Sequence, residues 1–310
     1  MTDLLKGKRL AFLIGAPRSG TTWLQLMLAS IPEIASANET HLFTNYTPSL
    51  FRGWDRLRDS PRDVGLHHLV TQEQYLSSIR DFAAQALAAI AATKPDATVI
   101  LEKTPGHAFV WRDIARIFPD ALFVHLVRDP RAVIASLFAA KQEWESGDWI
   151  PTRVTSACEF WSQHVTSAAA AKQTGRYHEV RYEDLREPAT LRRILSFLGI
   201  ERSDGECSSI ISSYSIDKLR KNEASAPWSL AREPRTFFRR GESDGWRNEL
   251  SADAIATIEA ALGKWMSTYG YQVQERRTVR QTLSVQITQS SDRARDFLRR
   301  RAQGLAERLR

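Results

Sequence analysis

The chain has little cysteine. Its two residues, Cys158 and Cys207, lie 49 positions apart. Two thiols so separated form neither a disulfide framework nor a zinc-ligand pattern, which excludes a stapled secreted scaffold and a Cys-rich metal domain. Nowhere is there a run of ~18–20 apolar residues, the length a helix needs to cross a bilayer. Lys6 and Lys8 precede the apolar residues 10–15, but that run is short and lacks a small-residue cleavage site, so it does not read as a signal peptide. These absences predict a reduced, soluble, cytoplasmic protein. The formal charge of +7 is unevenly spread. Residues 276–310 hold ten arginines against Asp292, Asp296 and Glu307, which is the whole excess, so residues 1–275 are balanced. A nucleic-acid enzyme carries positive charge across its working face. The distribution therefore argues against nucleic acid as a partner.

With 43% hydrophobic and 25% charged residues, the composition is that of an ordinary globular protein. Residues 9–14 read as a buried strand that feeds a Gly-rich turn and a helix over 22–30. Further short strands are predicted at 98–101, 121–127 and 178–181. Helices are predicted near 73–92, 109–117, 129–138, 155–172, 189–198 and 252–269. Residues 45–70, with Pro48, Gly53, Pro61 and Gly65, read as an irregular surface excursion. Alternating short strands and longer helices predict an α/β fold: one P-loop-like domain over 1–275, with a central parallel sheet of about four or five strands and helices on both faces. Residues 276–310 read as a basic, helical C-terminal tail. Ala294, Phe297, Leu298, Leu305 and Leu309 share one side of that helix. Such a helix suits an anionic membrane surface or a partner, and equally a solvated chain end.

The most informative stretch is Gly15-Ala16-Pro17-Arg18-Ser19-Gly20-Thr21-Thr22-Trp23, placed between a strand and a helix. A turn there aims successive backbone N–H groups and a helix N-terminus at one point, which cradles an anion. The spacing of Gly15 and Gly20 keeps the frame of a Walker A loop, but Thr21 stands where that loop has lysine. The cation has moved to Arg18. A nucleoside-triphosphate enzyme needs that lysine and an acidic strand end for Mg²⁺. Here Arg128 comes before Asp129 at the end of the best second strand, which suits an anion better than a metal.

Pro17-Arg18-Ser19-Gly20-Thr21-Thr22-Trp23 resembles the 5′-phosphosulfate loop of sulfotransferases that use 3′-phosphoadenosine 5′-phosphosulfate (PAPS). Residues 127–136, Val-Arg-Asp-Pro-Arg-Ala-Val-Ile-Ala-Ser, look like that family's 3′-phosphate motif. Arg181-Tyr182-Glu183-Asp184-Leu185 and Phe238-Arg239-Arg240-Gly241, followed by Gly245-Trp246-Arg247-Asn248, match two later segments, in the family's order. The likeness runs from about residue 9 to residue 271 and is to the branch with the Pro-Arg-Ser-Gly-Thr-Thr loop, which includes bacterial members and the protein-tyrosine type. It implies that Arg18, Ser19, Gly20, Thr21, Thr22 and Trp23 hold the 5′-phosphosulfate. Arg128 and Ser136 would hold the 3′-phosphate, Tyr182 would approach the adenine, and Arg239, Arg240 and Gly241 would close on the nucleotide. A guanidinium suits this work because it grips phosphate through two parallel hydrogen bonds.

The activity so implied is transfer of a sulfuryl group from PAPS to a hydroxyl or amine by in-line displacement. The product is adenosine 3′,5′-bisphosphate, and no metal is required. Glu39 falls where this branch places its general base, Lys103 resembles the lysine that neutralises the transferring group, and Arg18 would meet charge on the leaving phosphate. The aryl and steroid branch uses a histidine after Lys-Thr; Lys103-Thr104-Pro105 lacks it, and His41 and His107 remain nearby candidates. Trp54, Trp111, Trp144, Trp149 and Trp228 lie outside the cofactor motifs and are candidates for lining an acceptor pocket. The expected acceptor is a small molecule, sugar or lipid. Competing readings are a P-loop kinase or NTPase, and a catalytically silent nucleotide-binding protein.

Overall fold

Short runs of aliphatic residues between turn-forming residues become strands, and the longer stretches of 3.6-residue periodicity become the helices that cover them. The computed structural model describes residues 3–58, 64–143, 147–221, 238, 241 and 243–273. Its strands are β1 (Arg9–Gly15), β2 (Ile34–Ser36), β3 (Val99–Lys103), β4 (Leu122–Val127) and β5 (Tyr177–Arg181). All pair in parallel, in the order β2-β3-β1-β4-β5. The register sets Leu13 beside Lys103 and Gly15 beside Leu126. The C-terminal ends of the three central strands therefore open at one edge, where ligands of open α/β sheets bind.

The expected α/β architecture is present. The helices are α1 (Thr21–Ala29), α2 (Pro48–Leu57), α3 (Gln72–Ala92), α4 (Trp111–Ile117), α5 (Pro130–Glu143), α6 (Val154–Ala169), α7 (Pro188–Phe197), α8 (Asp204–Ser213), α9 (Ile216–Lys221) and α10 (Ala252–Thr268). Alternate residues of β1 serve opposite cores. Phe12 and Ile14 pack with Leu87 and Ile90 of α3 and Ile114 of α4. Leu13 packs with Leu24 and Leu28 of α1 and with Leu191 and Ile194 of α7. A third cluster joins Val133 of α5, Trp161 of α6 and Leu262 of α10. Among the described residues no helix is long and apolar enough to cross a membrane.

One expectation is corrected. Within the stretch read as irregular, residues 48–57 form α2. Pro48 is at its start, where a missing N–H costs nothing, and Phe51 and Trp54 are buried. Trp54 stacks on Tyr75 of α3 with ring centres 4.5 Å apart. α8 was not foreseen either. Ser203 and Glu206 form a reciprocal capping box at its start, a signal that was readable. The basic tail lies outside the described residues.

Candidate active site

The turn after β1 is shaped by close approaches that only glycine allows. A Cβ at Gly15 would stand 2.5 Å from the carbonyl oxygen of Leu126, and one at Gly20 would stand 2.4 Å from the Tyr182 ring. Arg18 (φ 70°) and Gly20 (φ 93°) reverse the chain in left-handed conformations, and Ser19 N–H closes the turn on Ala16 O at 3.1 Å. Thr21 then opens α1, so the N–H groups of its first turn, which have no intrahelical partner, follow directly on this turn.

Residues from four distant segments meet on one side of this turn. Arg18 Nε donates to Ser136 Oγ of α5 at 3.1 Å. Arg128 Nη1 donates to Arg18 O at 3.2 Å, and its guanidinium lies 4.1 Å over the Tyr182 ring. Trp23 meets that ring edge-on at 5.4 Å. Tyr182 Oη donates to Gly241 O at 3.2 Å, and Arg186 Nη2 donates to the same oxygen at 2.7 Å. Arg18, Gly20, Trp23, Arg128, Ser136, Tyr182 and Gly241 are thus brought together, whereas Arg239 and Arg240 lie outside the described residues. Beside them is an open hollow of about 530 Å³ lined by Arg186, Ser243, Asp244, Gly245, Arg247 and Asn248. Arg186 was missed by the sequence reading. Its place one turn after Tyr182 was the available signal.

A second group forms on the other side of the turn, above β3. Lys103 is nearly buried; its Nζ donates to Thr22 Oγ1 at 3.2 Å and to Glu39 Oε1 at 2.5 Å. His41 Nε2 stands 3.5 Å from Glu39 Oε2. Glu39 therefore sits between a lysine and an imidazole while staying partly open to solvent, with its side chain 35% exposed. His107 is elsewhere: it is fully buried under this group, and its Nε2 accepts from Phe43 N–H at 3.2 Å. Trp54 and Trp111 are buried in the core and Trp149 is half-buried, 6.1 Å from Phe160. Trp144 and Trp228 lie outside the described residues.

Asp129, the acid at the end of β4, is engaged by a cation. Arg131 Nε and Nη2 reach its two oxygens at 3.1 and 2.7 Å, and Arg131 Nη1 reaches Glu259 of α10 at 2.6 Å. The Arg131 guanidinium also lies 4.1 Å over Trp246. The carboxylate that an NTPase would offer to Mg²⁺ is thus spent on tying α5 to α10.

Comparison with known proteins adds independent findings. A sequence model of the sulfotransferase family matches residues 11–204. The nodulation protein NoeE of Sinorhizobium fredii is 26% identical over 288 residues, 82% of this chain and 64% of that protein. Protein-tyrosine sulfotransferase 1 of Rattus norvegicus is 32% identical over 137 residues, 44% of this chain and 35% of the rat protein. The chain thus spans about a third to two thirds of the length of these relatives. Among solved structures, mouse sulfotransferase SULT7A1 complexed with PAP has the same fold, with a TM-score of 0.51 and 16% identity over 86% of this chain and 90% of the mouse chain.

Proposed function

The chain belongs to the sulfotransferase family, and from that premise we propose that it transfers a sulfuryl group from PAPS to a hydroxyl or amine acceptor. One observation carries the proposal: a single turn joins an arginine–serine cluster, Arg18–Ser136–Arg128, to a base–lysine pair, Glu39–Lys103. The first is chemistry for a phosphate; the second is chemistry for moving a proton beside a growing negative charge.

PAPS supplies the sulfuryl group and a bisphosphate leaving group. In this reading Arg128 and Ser136 hold its 3′-phosphate, and Ser19, Gly20, Thr21 and Thr22 cradle the 5′-phosphosulfate. Trp23, Tyr182 and Gly241, with Arg239 and Arg240, enclose the adenosine. Bare Gly20 lets the Tyr182 ring pack directly against the turn that would carry the phosphosulfate. Lys103 and Arg18 offset charge on the leaving side, and Glu39 takes the acceptor's proton while Lys103 and His41 hold it in place. PAP, named with the mouse structure, is the product expected from this donor. The acceptor is a small molecule, sugar or lipid, approaching from the side on which Glu39 and His41 are open. The kinase reading gains no support, because Thr21 replaces the loop lysine and Arg131 occupies Asp129.

The test is the thermal midpoint with adenosine 3′,5′-bisphosphate and, separately, with ATP–Mg²⁺. At ~100 times its dissociation constant the bisphosphate should stabilise by about 2.7 kcal/mol. Arg128→Ala should lose most of that shift. Glu39→Gln should keep the shift while turnover of PAPS drops by about 10²–10⁴. A shift with ATP–Mg²⁺ alone would overturn the proposal.

A further inference from the structure

β3 is buried along its whole length, yet it carries a carboxylate. Glu102 is 1% exposed, and a buried charge is unfavourable unless donors and partners answer it. Its partners are Thr104 and His107 just beyond β3 and the turn that follows Glu39. Thr40 gives Oε1 its N–H at 3.3 Å and its hydroxyl at 2.8 Å. His41 N–H goes to Thr104 Oγ1 at 3.3 Å, and that hydroxyl donates to the same Oε1 at 2.7 Å. Leu42 N–H goes to Thr40 Oγ1 at 3.1 Å. Phe43 N–H goes to His107 Nε2 at 3.2 Å, and Nδ1 of that ring stands 2.7 Å from Glu102 Oε2. Four consecutive backbone N–H groups therefore lead, directly or through one side chain, to a single buried carboxylate.

Because Nε2 accepts, the proton of a neutral His107 ring is on Nδ1, facing Glu102. Burial pushes the Glu102 carboxyl up, but His107 and the hydroxyls of Thr104 and Thr40 outweigh it and hold it down at about 2. The turn they fix is an unusual one. His41 sits at φ 51° and the chain winds through one wide helical turn at Leu42–Tyr46. A non-glycine residue keeps that conformation only where its surroundings over-determine it. The next residue of β3, Lys103, grips the carboxylate of Glu39. One strand end thus holds the Glu39 segment by its backbone and its side chain.

We infer that Glu102 and His107 are positioning residues for sulfuryl transfer: the buried pair anchors the 40–43 turn and so sets Glu39 against Lys103, facing the acceptor. The inference rests on the reading of Glu39 as the base, and neither residue touches a reacting atom. Glu102→Gln is the sharp variant because it keeps the size. Its amide oxygen still serves Thr40 and Thr104, but its NH₂ then faces His107 Nδ1. The ring accepts that NH₂ only by moving its proton to Nε2, where it opposes Phe43 N–H. Thr40→Val removes the hydroxyl from the turn itself and stands in should the core variant fail to fold.

The experiment is hydrogen–deuterium exchange across residues 38–46 of the full chain, with kcat and KM for PAPS measured on 4-nitrophenol as probe acceptor. Exchange at Thr40 and Phe43 should rise at least about tenfold in both variants. The kcat should fall by about tenfold or more while KM for PAPS stays within about twofold, since the phosphate-holding residues are untouched. The thermal shift with adenosine 3′,5′-bisphosphate should be kept. Unchanged exchange in 38–46, or freer exchange with kcat intact, overturns the inference. So does a parallel loss of kcat, KM and the bisphosphate shift, which marks Glu102 as a core residue only. Failure of the bisphosphate to stabilise wild type sinks the donor reading instead, and the exchange result still decides whether Glu102 and His107 hold the turn.

Discussion

At the scale of single residues, charge placement determines what this protein endures as well as what it does. Glu102 ionises at about 2 in the folded chain against an ordinary 4.5. The unfolded chain therefore takes up this proton first as pH falls. The stabilisation is complete above about pH 4.5, fades below it, and is gone below about 2, amounting to roughly 3 kcal/mol at neutral pH. Urea midpoints from pH 7 to pH 3 should show wild type and Glu102→Gln converging, the gap shrinking by about 2 kcal/mol. Parallel curves would mean that this carboxylate does not titrate as its donors require. Residues of this kind also mark the limit of sequence reading. Arg18, Gly20 and Arg128 were legible because phosphate chemistry demands those types at the ends of strands. Glu102 was not, because an acid inside a short apolar strand gives no sign of the donors that reach it from residues 40–43, sixty positions away. His107 was noticed as a nearby candidate, structural or acceptor-binding before catalytic, but without its partner; its burial shows that partner to be the chain rather than the substrate.

Among the elements, those with regular periodicity were found and those decided by tertiary contact were not. β1, β4 and α3 follow from their own residues: β1 from buried aliphatics leading into glycine, α3 from an alanine-rich run capped by Thr71 and Gln74. α2 is short, contains Gly53 and begins at a proline, so local propensity reads it as loop. What makes it a helix is the burial of Phe51 and Trp54 against α3. If tertiary packing is the cause, Trp54→Ala should cost about 3–5 kcal/mol, the usual loss for truncating a buried tryptophan. The effect should stay local to stability. Affinity for adenosine 3′,5′-bisphosphate should be unchanged, because the contacts described for Arg128, Ser136 and Tyr182 run to Arg18, Trp23 and Gly241 rather than to α2. Calorimetric unfolding of the variant with and without the bisphosphate separates the two. A lost ligand shift would mean that α2 supports the nucleotide side after all.

For the whole molecule the remaining question is where the folded unit ends. The last described segment is tied in at three points. Tyr269 Oη donates to Glu179 Oε2 at 3.2 Å, Tyr271 Oη donates to Glu183 Oε2 at 2.8 Å, and Gln272 O accepts from Arg131 at 2.9 Å. Glu183 in turn accepts from Asp129 N–H at 3.1 Å, next to Arg128. These ties run from the end of α10 to the edge that carries the proposed 3′-phosphate residues. Val273 follows them and is 40% exposed. We propose that the sulfotransferase domain closes here, and that the ten arginines of 276–310 form a separate tail with its own purpose. Two truncations bracket the claim. A chain ending at residue 273 should keep its thermal midpoint within about 3 °C and retain its full bisphosphate shift, because no described tie is cut. A chain ending at residue 268 loses all three, leaving Arg131 with one acceptor fewer and the Glu183 carboxylate without Tyr271. It should lose several kcal/mol and most of its affinity for the bisphosphate, as removal of buried polar partners does. Should the chain ending at residue 273 also collapse, the tail belongs to the domain, and the boundary drawn from its charge is wrong.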